Sequence, residues 1–175
     1  MTNNPSVAVF LTAYNGIRWI KDQVDSILNQ ENVNIDIYIS VDLSCDGTYE
    51  WCQDLGANNT NVKVLPYGDY FGGAAKNFFR LIKDVDFNNY HYISLADQDD
   101  IWLPNKVSRA IKIIRERKLE GYSSSVIAFW EDGRQKFIDK SYSQKKFDHY
   151  FESAGPGCTF LLTQKSLEKF KNFLI

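Results

Sequence analysis

Short apolar stretches alternate with helical segments along this chain, and the alternation constrains its fold more than any other feature. Four stretches rich in β-branched and aromatic residues begin at Ser6, Asn34, Val62 and Tyr90, and segments with apolar residues at helical spacing follow them. Strands that alternate with helices predict a mostly parallel central sheet with helices on both faces. The sequence therefore predicts one α/β domain over residues 1–175, with a Rossmann-like three-layer α/β/α architecture.

The second part of the chain has a less regular pattern. A helix is expected from Pro104 to about Gly121, because proline is tolerated in a first helical turn. The segment "SSVIAFW" is interpreted as a fifth strand, and "QKFIDK", after a turn, as a further strand. From Thr159 onward we expect a strand end followed by a helix. These residues are predicted to complete a site and not to form a separate domain.

Composition excludes several classes of partner. Lys plus Arg number 20 and Asp plus Glu number 22, so the net charge is −2 and nucleic-acid binding is not expected. Three cysteines without a Cys-x-x-Cys pair are typical of reduced thiols in the cytoplasm. The first residues lack the pattern of a signal peptide, and we see no apolar run of the roughly 18 residues that a membrane span requires.

Three carboxylates follow the fourth predicted strand: Asp97, Asp99 and Asp100. Like charges so close together repel and raise one another's pKa, so folding alone does not favour the cluster. Ligands of parallel sheets bind at the carboxyl ends of strands, and alternate residues of extended backbone point the same way. Asp97 and Asp99 are therefore predicted to hold Mg²⁺ or Mn²⁺, which takes carboxylate, water and phosphate oxygens. Two carboxylates bind Mg²⁺ weakly, so we expect the metal to arrive with a nucleotide.

Each of these candidates has a structural alternative. Asp100 is interpreted as a cap of the helix that begins near Pro104. Asp42, which closes the second strand, is either an acceptor for a base or ribose hydroxyl or a turn residue, and Asp46 is more turn-like. Tyr14 either stacks on a base or covers the core. Lys76, near the start of the third helix, either meets a phosphate or is solvated.

Four segments, taken in order, resemble those of glycosyltransferase family 2, whose members have the GT-A fold. These segments are "VAVFLTAYNG", "ISVDLSCDGT", "FGGAAKNF" and "ADQDDIWLPNK", and the last is similar to that of rhamnosyltransferase-like members. A lone Asp-x-Asp is weak evidence, but Asp-x-Asp-Asp followed by Trp and Pro, behind the other three segments, is specific. The resemblance implies sugar transfer from a UDP- or dTDP-sugar to a saccharide or lipid-linked acceptor, in synthesis of surface polysaccharide.

The resemblance also implies roles for individual positions. Asp97 would face the ribose and the metal, and Asp99 would ligate the metal that bridges the diphosphate. The nucleotide would be held by Thr12, Ala13, Tyr14, Asn15, Asp42, Lys76 and Asn77. The sugar and acceptor would lie beside Asp100, Trp102, Gly157, Cys158 and Thr159. Residues 1–120 would then form the nucleotide-sugar and metal half, and residues 121–175 an incomplete start of the acceptor half. For Trp102 the alternative is packing against the following helix.

Three departures from the family pattern stand out. Only one carboxylate, Asp42, is present where the family has a pair, and Tyr70 stands where many members carry Asn. The family's general base, which takes the acceptor proton in a single inverting displacement, follows a segment like "GPGCTFLLTQKSL". No match is found before Ile175, so we expect a truncated chain whose base lies beyond it. Glu168 is expected to be solvated, and the Asp148–His149 pair precedes the segment.

Other functions fit less well. A single glycine after the first strand disfavours a dinucleotide-binding Rossmann motif, and no P-loop is present. The segment "SCDGT" is similar to a haloacid-dehalogenase motif, but Ser44 stands where the nucleophilic aspartate is needed. A non-catalytic nucleotide-sugar-binding module remains the alternative.

The predicted helix at 104–118 is rich in basic residues. It carries Lys106, Arg109, Lys112, Arg115, Arg117 and Lys118 against one acid, Glu116. This is either a solvated face or a surface attracted to anionic lipid. The predicted location is cytoplasmic, with peripheral contact at the inner face of the membrane left open.

Overall fold

A computed structural model describes residues 4–143, 145–150 and 154–174. In chain order the elements are β1 (Ser6–Ala13), α1 (Ile20–Leu28), β2 (Asn34–Val41), α2 (Thr48–Asn58), β3 (Val62–Val64), α3 (Ala74–Asp84), β4 (Tyr92–Ala96), α4 (Lys106–Arg117), β5 (Gly121–Tyr122), β6 (Val126–Phe129), β7 (Gln135–Ile138), β8 (Leu161–Thr163) and α5 (Gln164–Leu174). Short 3₁₀ turns cover Asp148–Tyr150 and Gly157–Thr159.

The main sheet has six strands in the order β3-β2-β1-β4-β8-β5 within the described residues. The first four pair in parallel, with β1 between β2 and β4. Strand β8 then pairs antiparallel with both β4 and β5. The predicted α/β fold with a mostly parallel sheet is confirmed.

Strand β1 forms the centre of the core, and side chains on both of its faces are buried. Val7, Val9 and Leu11 pack in one cluster with residues of α1, α2 and α4. Ala8 and Phe10, which alternate with them, pack in a second cluster with α3 and α5. Helices therefore cover both faces of the sheet, as a buried parallel strand requires, and the three-layer prediction is confirmed.

Two predictions for the second part of the chain differ from the structure. The stretch expected as a fifth strand of the sheet forms β6, whose pairing within the described residues is with β7, in a separate hairpin. The position beside β4 is occupied by β8, whose Leu161 is buried, whereas every side chain of β7 is exposed. Helix α4 ends at Arg117 and not near Gly121, because Lys118 takes a left-handed conformation (φ 53°) and Gly121 begins β5.

The basic residues of α4 are partly engaged within the protein. Arg115 donates to the Tyr92 hydroxyl at 3.2 Å, and Lys112 lies 3.8 Å from Glu116. Lys106 Nζ lies 3.4 Å from the centre of the Trp102 ring. None of the described helices combines the length and the apolar character of a membrane span. Contact of α4 with lipid headgroups stays a prediction.

The three cysteines should differ in reactivity. Cys45 is exposed, whereas Cys52 and Cys158 are buried, and burial raises the pKa of Cys52 to about 12. Because the thiolate is the reactive form, we expect a disulfide reagent such as DTNB to titrate one thiol in the native protein and three after unfolding. In Cys45→Ser the prompt reaction should disappear. Rapid reaction of a second thiol in the native state would contradict the packing described above.

Candidate functional site

The carboxyl ends of β1, β2 and β4 meet at one edge of the sheet. From β1 the chain passes to β2 and β3 on one side and then returns to β4 on the other. This reversal is the topological switch point at which α/β proteins bind ligands. A cavity of 530 Å³, here called the edge cavity, lies there. Predicted site residues in its lining are Thr12, Ala13, Tyr14, Asp42, Asn77, Asp97 and Asp99.

Two residues predicted for the nucleotide site do not line the edge cavity. Lys76 is exposed on α3. Asn15, with a left-handed φ of 44°, accepts a hydrogen bond from Cys45 N–H at 2.9 Å and donates its own N–H to Ser44 Oγ at 3.0 Å. Asn15 therefore joins the loop after β1 to the loop after β2.

Asp42 is buried and its carboxylate receives three backbone hydrogen bonds. Oδ1 accepts from the N–H groups of Leu43 (2.8 Å) and Phe71 (2.9 Å), and Oδ2 accepts from Gly72 N–H (3.0 Å). The last two come from the loop before α3, where Gly72 has a left-handed φ of 68°. Asp42 thus holds this glycine loop against the end of β2. One oxygen bears a single donor, so the carboxylate can still accept a hydrogen bond from a ligand.

Asn77 is a second buried polar residue of the edge cavity. Its side-chain nitrogen donates to the Ser40 carbonyl at 2.9 Å, which fixes the orientation of the amide. The amide oxygen is buried and has no hydrogen-bond partner among the described residues. This oxygen can accept a hydrogen bond from a ligand hydroxyl. It cannot bond to an ionised phosphate oxygen, which is itself an acceptor.

The prediction assumed that the acidic segment after β4 is extended. In the structure residues 98–99 form a turn instead. Asp97 and Asp99 both line the edge cavity, but Asp99 is exposed. The turn brings Asp97 near Asp100, and one ligand atom from each of these carboxylates and from Cys158 lie within 4.8 Å of one another. We call Asp97, Asp99, Asp100 and Cys158 the acidic cluster.

The negative charges of the acidic cluster are not balanced by nearby positive charges. Burial raises the pKa of Asp97 to about 6, and the neighbouring charges of Asp100 and Asp99 raise it further. Burial also raises the pKa of Asp100, and one of its oxygens is buried without a hydrogen-bond partner within the described ranges. Lys106 faces Asp100 and Cys158, but burial lowers its own pKa to about 8. Hard carboxylate oxygens with an unbalanced charge fit a divalent cation such as Mg²⁺ or Mn²⁺.

The prediction that Asp100 caps α4 is wrong. Helix α4 begins after Asn105, with no side-chain hydrogen bond at its N-cap, and Asp100 faces Cys158 instead. Residues 101–105, with a turn at 104–105, separate Asp100 from the start of the helix, so Asp100 is too far upstream to cap its first N–H groups.

A second cavity, of 480 Å³, lies between the acidic cluster and the β6–β7 hairpin. Asp100, Trp102, Cys158 and Thr159 line it, and Gly157 lies beside Asp97. Trp102 is buried and packs against Lys106 of α4, the alternative that the sequence had left open. Ile127 and Phe129 of the hairpin add an apolar wall.

The sequence did not predict one residue of the site, Gln98, and one contact, that of Cys158 with the carboxylates. Gln98 lines the edge cavity and forms hydrogen bonds with the backbone of Tyr14. Cys158 was assigned to the acceptor side, but its contact with the two carboxylates was not foreseen. The place of Gln98 between two aspartates at a strand end puts it near the site, but its partner, the backbone of Tyr14, cannot be identified from the sequence. The contact of Cys158 with Asp97 and Asp100 has no sequence signal, because these residues are far apart along the chain.

The carboxylates considered as general bases have other surroundings. Asp148 accepts a hydrogen bond from Lys145 N–H at 2.6 Å within its turn. Glu168 is exposed on α5 and accepts from Gln164 Nε2 at 3.2 Å. The side chain of His149 lies outside the described residues. We assign the general base to none of these positions.

Several known proteins are similar to this chain. The family model described as Glycosyl transferase family 2 matches residues 8–170. The dTDP-rhamnosyl transferase RfbG of Shigella flexneri is 46% identical over 166 residues, which are 94% of this chain and 57% of that protein. The chain thus spans little more than half the length of this relative.

Solved structures with similar folds include two proteins in complex with nucleotide-sugars. The mannosyltransferase PcManGT from Pyrobaculum calidifontis, in complex with GDP-Man and Mn²⁺, has a TM-score of 0.67 and 15% identity, with 97% of this chain and 47% of that one covered. TarS 1–349 from S. aureus, in complex with UDP-GlcNAc, has a TM-score of 0.65 and 15% identity, with 94% and 47% covered. At these identities the likeness establishes the GT-A fold.

An Asp-to-Asn change should lower the free energy of unfolding at Asp42 and raise it at Asp97. In Asp42→Asn, an amide N–H₂ would face a backbone N–H in place of a carboxylate oxygen, so we expect a loss of about 1–3 kcal/mol in the free energy of unfolding. Urea denaturation measures this. The matched control is Asp69→Asn, an exposed residue of the same loop, which should change stability by less than about 0.5 kcal/mol. Equal effects at both positions would contradict the role of Asp42.

Asp97→Asn should stabilise the metal-free protein. The pKa of Asp97 is raised from 3.8 to about 6 on folding, so the folded state loses stability as the pH rises through this range. Asparagine removes the buried charge, and we expect a gain of about 1 kcal/mol at pH 7 that vanishes near pH 4. Urea denaturation at the two pH values, with EDTA present, checks the result. A loss of stability at pH 7 would show that the carboxylate has a favourable partner.

Proposed function

Because the chain belongs to glycosyl transferase family 2, we propose that it takes part in metal-dependent transfer of a sugar from a nucleotide-sugar to a saccharide or lipid-linked acceptor. The product would be a surface polysaccharide or lipopolysaccharide, formed by one inverting displacement. The observation that carries the proposal is the edge cavity. It brings the loop after β1, Asp42, Asn77 and the carboxylates of Asp97 and Asp99 to one 530 Å³ space at the switch point.

The donor is proposed to be a dTDP- or UDP-sugar. RfbG is named a dTDP-rhamnosyl transferase, and TarS is seen in complex with UDP-GlcNAc. In this chain, Tyr14 lines the edge cavity with about half of its surface exposed, so its ring is available to a base. The unpartnered oxygen of Asn77 suits a ribose hydroxyl. We therefore place the nucleoside between Tyr14 and α3.

The diphosphate and its cation are proposed to lie in the part of the edge cavity beside Asp97 and Asp99. PcManGT is seen with Mn²⁺ and GDP-Man, and carboxylates that lack positive charge fit Mg²⁺ as well as Mn²⁺. A bound divalent cation would neutralise the negative charge that develops on the diphosphate as it leaves. Asp97 and Asp99 hold and orient the cation in this scheme, and no covalent step is assigned to them.

The acceptor is proposed to enter the second cavity. Asp97 lines the edge cavity and Asp100 the second cavity, so the acidic cluster lies between the two spaces. A donor in one cavity and an acceptor hydroxyl in the other would then meet at the cluster. The apolar wall from Ile127 and Phe129 suits the face of a sugar ring or the start of a lipid chain.

Thermal unfolding with nucleotides tests the donor site. Ligand binding raises stability as RT ln(1 + [L]/Kd), so dTDP or UDP at about 100 Kd with Mn²⁺ should raise the Tm by roughly 5 °C or more. Asp99→Asn should lose most of this shift, because it removes a cation ligand. The control Asp54→Asn, an exposed residue of α2, should keep it.

A radiolabelled-sugar transfer assay with lipid extracts as acceptors tests for the enzyme directly. Binding with transfer supports the enzyme over a non-catalytic nucleotide-sugar-binding module. Binding without transfer is expected of such a module and equally of an enzyme chain without its general base, which we assign to no described residue. If neither dTDP nor UDP shifts the Tm with Mg²⁺ or Mn²⁺ present, the donor site is wrongly placed.

A further inference from the structure

Gln98 connects the two walls of the edge cavity. Its Oε1 accepts the N–H of Tyr14 at 2.7 Å, and its Nε2 donates to the carbonyl of the same residue at 2.9 Å. A single side-chain amide therefore satisfies both backbone groups of one peptide position, in the way that a neighbouring strand would.

This pair of hydrogen bonds stands where the backbone ladder stops. Strands β1 and β4 pair in parallel up to Leu11 and Ala96, after which β4 turns away into the acidic segment. On its other side, β1 stays paired with β2 as far as Ala13 and Val41. Gln98 thus continues the link between β1 and β4 beyond the last strand pair, through a side chain instead of the main chain.

The rest of the loop after β1 is tied to the other side. The N–H groups of Asn15, Gly16 and Ile17 donate to Ser44, Thr48 and Asp46, all in the segment after β2. Among the described residues, the hydrogen bonds that join this loop to residues 97–100 are the two made by Gln98. We call this loop, residues 14–17, the Tyr14 wall. Without the two hydrogen bonds of Gln98, its hydrogen bonds would be to the segment after β2 and not to residues 97–100.

Gly16 provides the space that Gln98 needs. A Cβ at position 16 would lie 2.1 Å from Gln98 Oε1 and 2.4 Å from its Cδ. The left-handed conformation that usually explains glycine is not involved, since Gly16 is absent from the positive-φ glycines. The atoms that this Cβ would meet form the end of the Gln98 side chain, so an alanine at position 16 would have to displace the amide from its two hydrogen bonds with Tyr14.

We propose that Gln98 is a positioning residue that sets the Tyr14 wall relative to Asp97 and Asp99, and so couples nucleoside binding to cation binding. The inference rests on the proposed function, because it assumes that the edge cavity holds a nucleotide and a cation. A cation can tighten nucleotide binding only when a base held at Tyr14 places its diphosphate beside Asp97 and Asp99. The spacing between Tyr14 and these carboxylates, which Gln98 sets, therefore determines how strongly each ligand favours the other.

The test compares dTDP binding with and without Mn²⁺ by calorimetric titration, in the wild type and in Gln98→Met. Methionine has nearly the same length as glutamine, adds no charge beside the cluster, and lacks both hydrogen bonds. In the wild type we expect Mn²⁺ to tighten dTDP binding roughly tenfold, and in Gln98→Met this enhancement should fall below about threefold. The control Gln53→Met, on the exposed face of α2, should keep the full enhancement.

The enhancement factor separates positioning from stability, since a variant that is merely less stable loses affinity equally with and without Mn²⁺. Gln98→Met with an unchanged Mn²⁺ enhancement overturns the positioning role and leaves the donor site intact. A wild-type chain that binds neither dTDP nor UDP overturns the proposed function, and this inference with it.

A second arm tests the contact itself. Gly16→Ala should lower the Tm by roughly 5 °C in the wild type and by much less in a Gln98→Ala background, where the added methyl group has room. Equal losses in the two backgrounds would overturn the contact between Gly16 and Gln98. If Gly16→Ala lowers the Mn²⁺ enhancement of dTDP binding as much as Gln98→Met does, the result supports the role of the Gly16–Gln98 contact in positioning Tyr14.

Discussion

The hydrogen-bonded placement of β1 between two parallel neighbours determines where everything else in the site can be. Because β1 pairs with β2 and with β4 in the same direction, three carboxyl ends arrive at one edge with no strand in between. Each end then supplies a different kind of group: a loop with an exposed tyrosine, a buried carboxylate, and an acidic turn. The chemistry of the site is distributed over three distant parts of the sequence, and the sheet is what unites them.

The molecule treats its carboxylates in two different ways at this edge. Asp42 is surrounded by backbone N–H groups and acts as a structural fastening for the glycine loop. The carboxylates of the acidic cluster receive no comparable set of donors, and one oxygen of Asp100 has no partner within the described residues. Backbone N–H groups balance the charge of Asp42, whereas the carboxylates of the acidic cluster keep a negative charge that a bound cation can balance. Local stability is lower as a result.

The sequence was sufficient for the features that depend on repeated patterns. Buried strands such as β1 and β2 are visible as apolar runs, and the position of a polar residue directly after such a run places it at the edge of the sheet. Thr12, Asp42 and Asp97 could be located in this way. Their exact partners could not, because the partner of Asp42 is the backbone of residues 71–72, whose position depends on the path of a loop.

Predictions failed where a local rule met a long-range contact. Asp100 fits the composition of a helix cap, yet it faces Cys158, which arrives from the far end of the described chain. The stretch that became β6 has the residues of a core strand, but β8 occupies the place beside β4. Gln98 was overlooked because its partner is a main-chain group, and a sequence pattern contains no information on which peptide a side-chain amide will meet.

The antiparallel strand β8 has a consequence for the order in which the protein assembles during synthesis. The Ser94 hydroxyl donates to the Phe160 carbonyl across 66 residues, and Leu95 N–H donates to the same carbonyl. We therefore expect one side of β4 to stay open until residues 157–163 have left the ribosome, whereas the four parallel strands can pair earlier. Gly157 and Cys158 reach the carboxylates together with β8, so we expect the aspartates to stay hydrated until β8 pairs with β4. Burial of the repelling charges is postponed to the step at which the rest of the core is available to offset it.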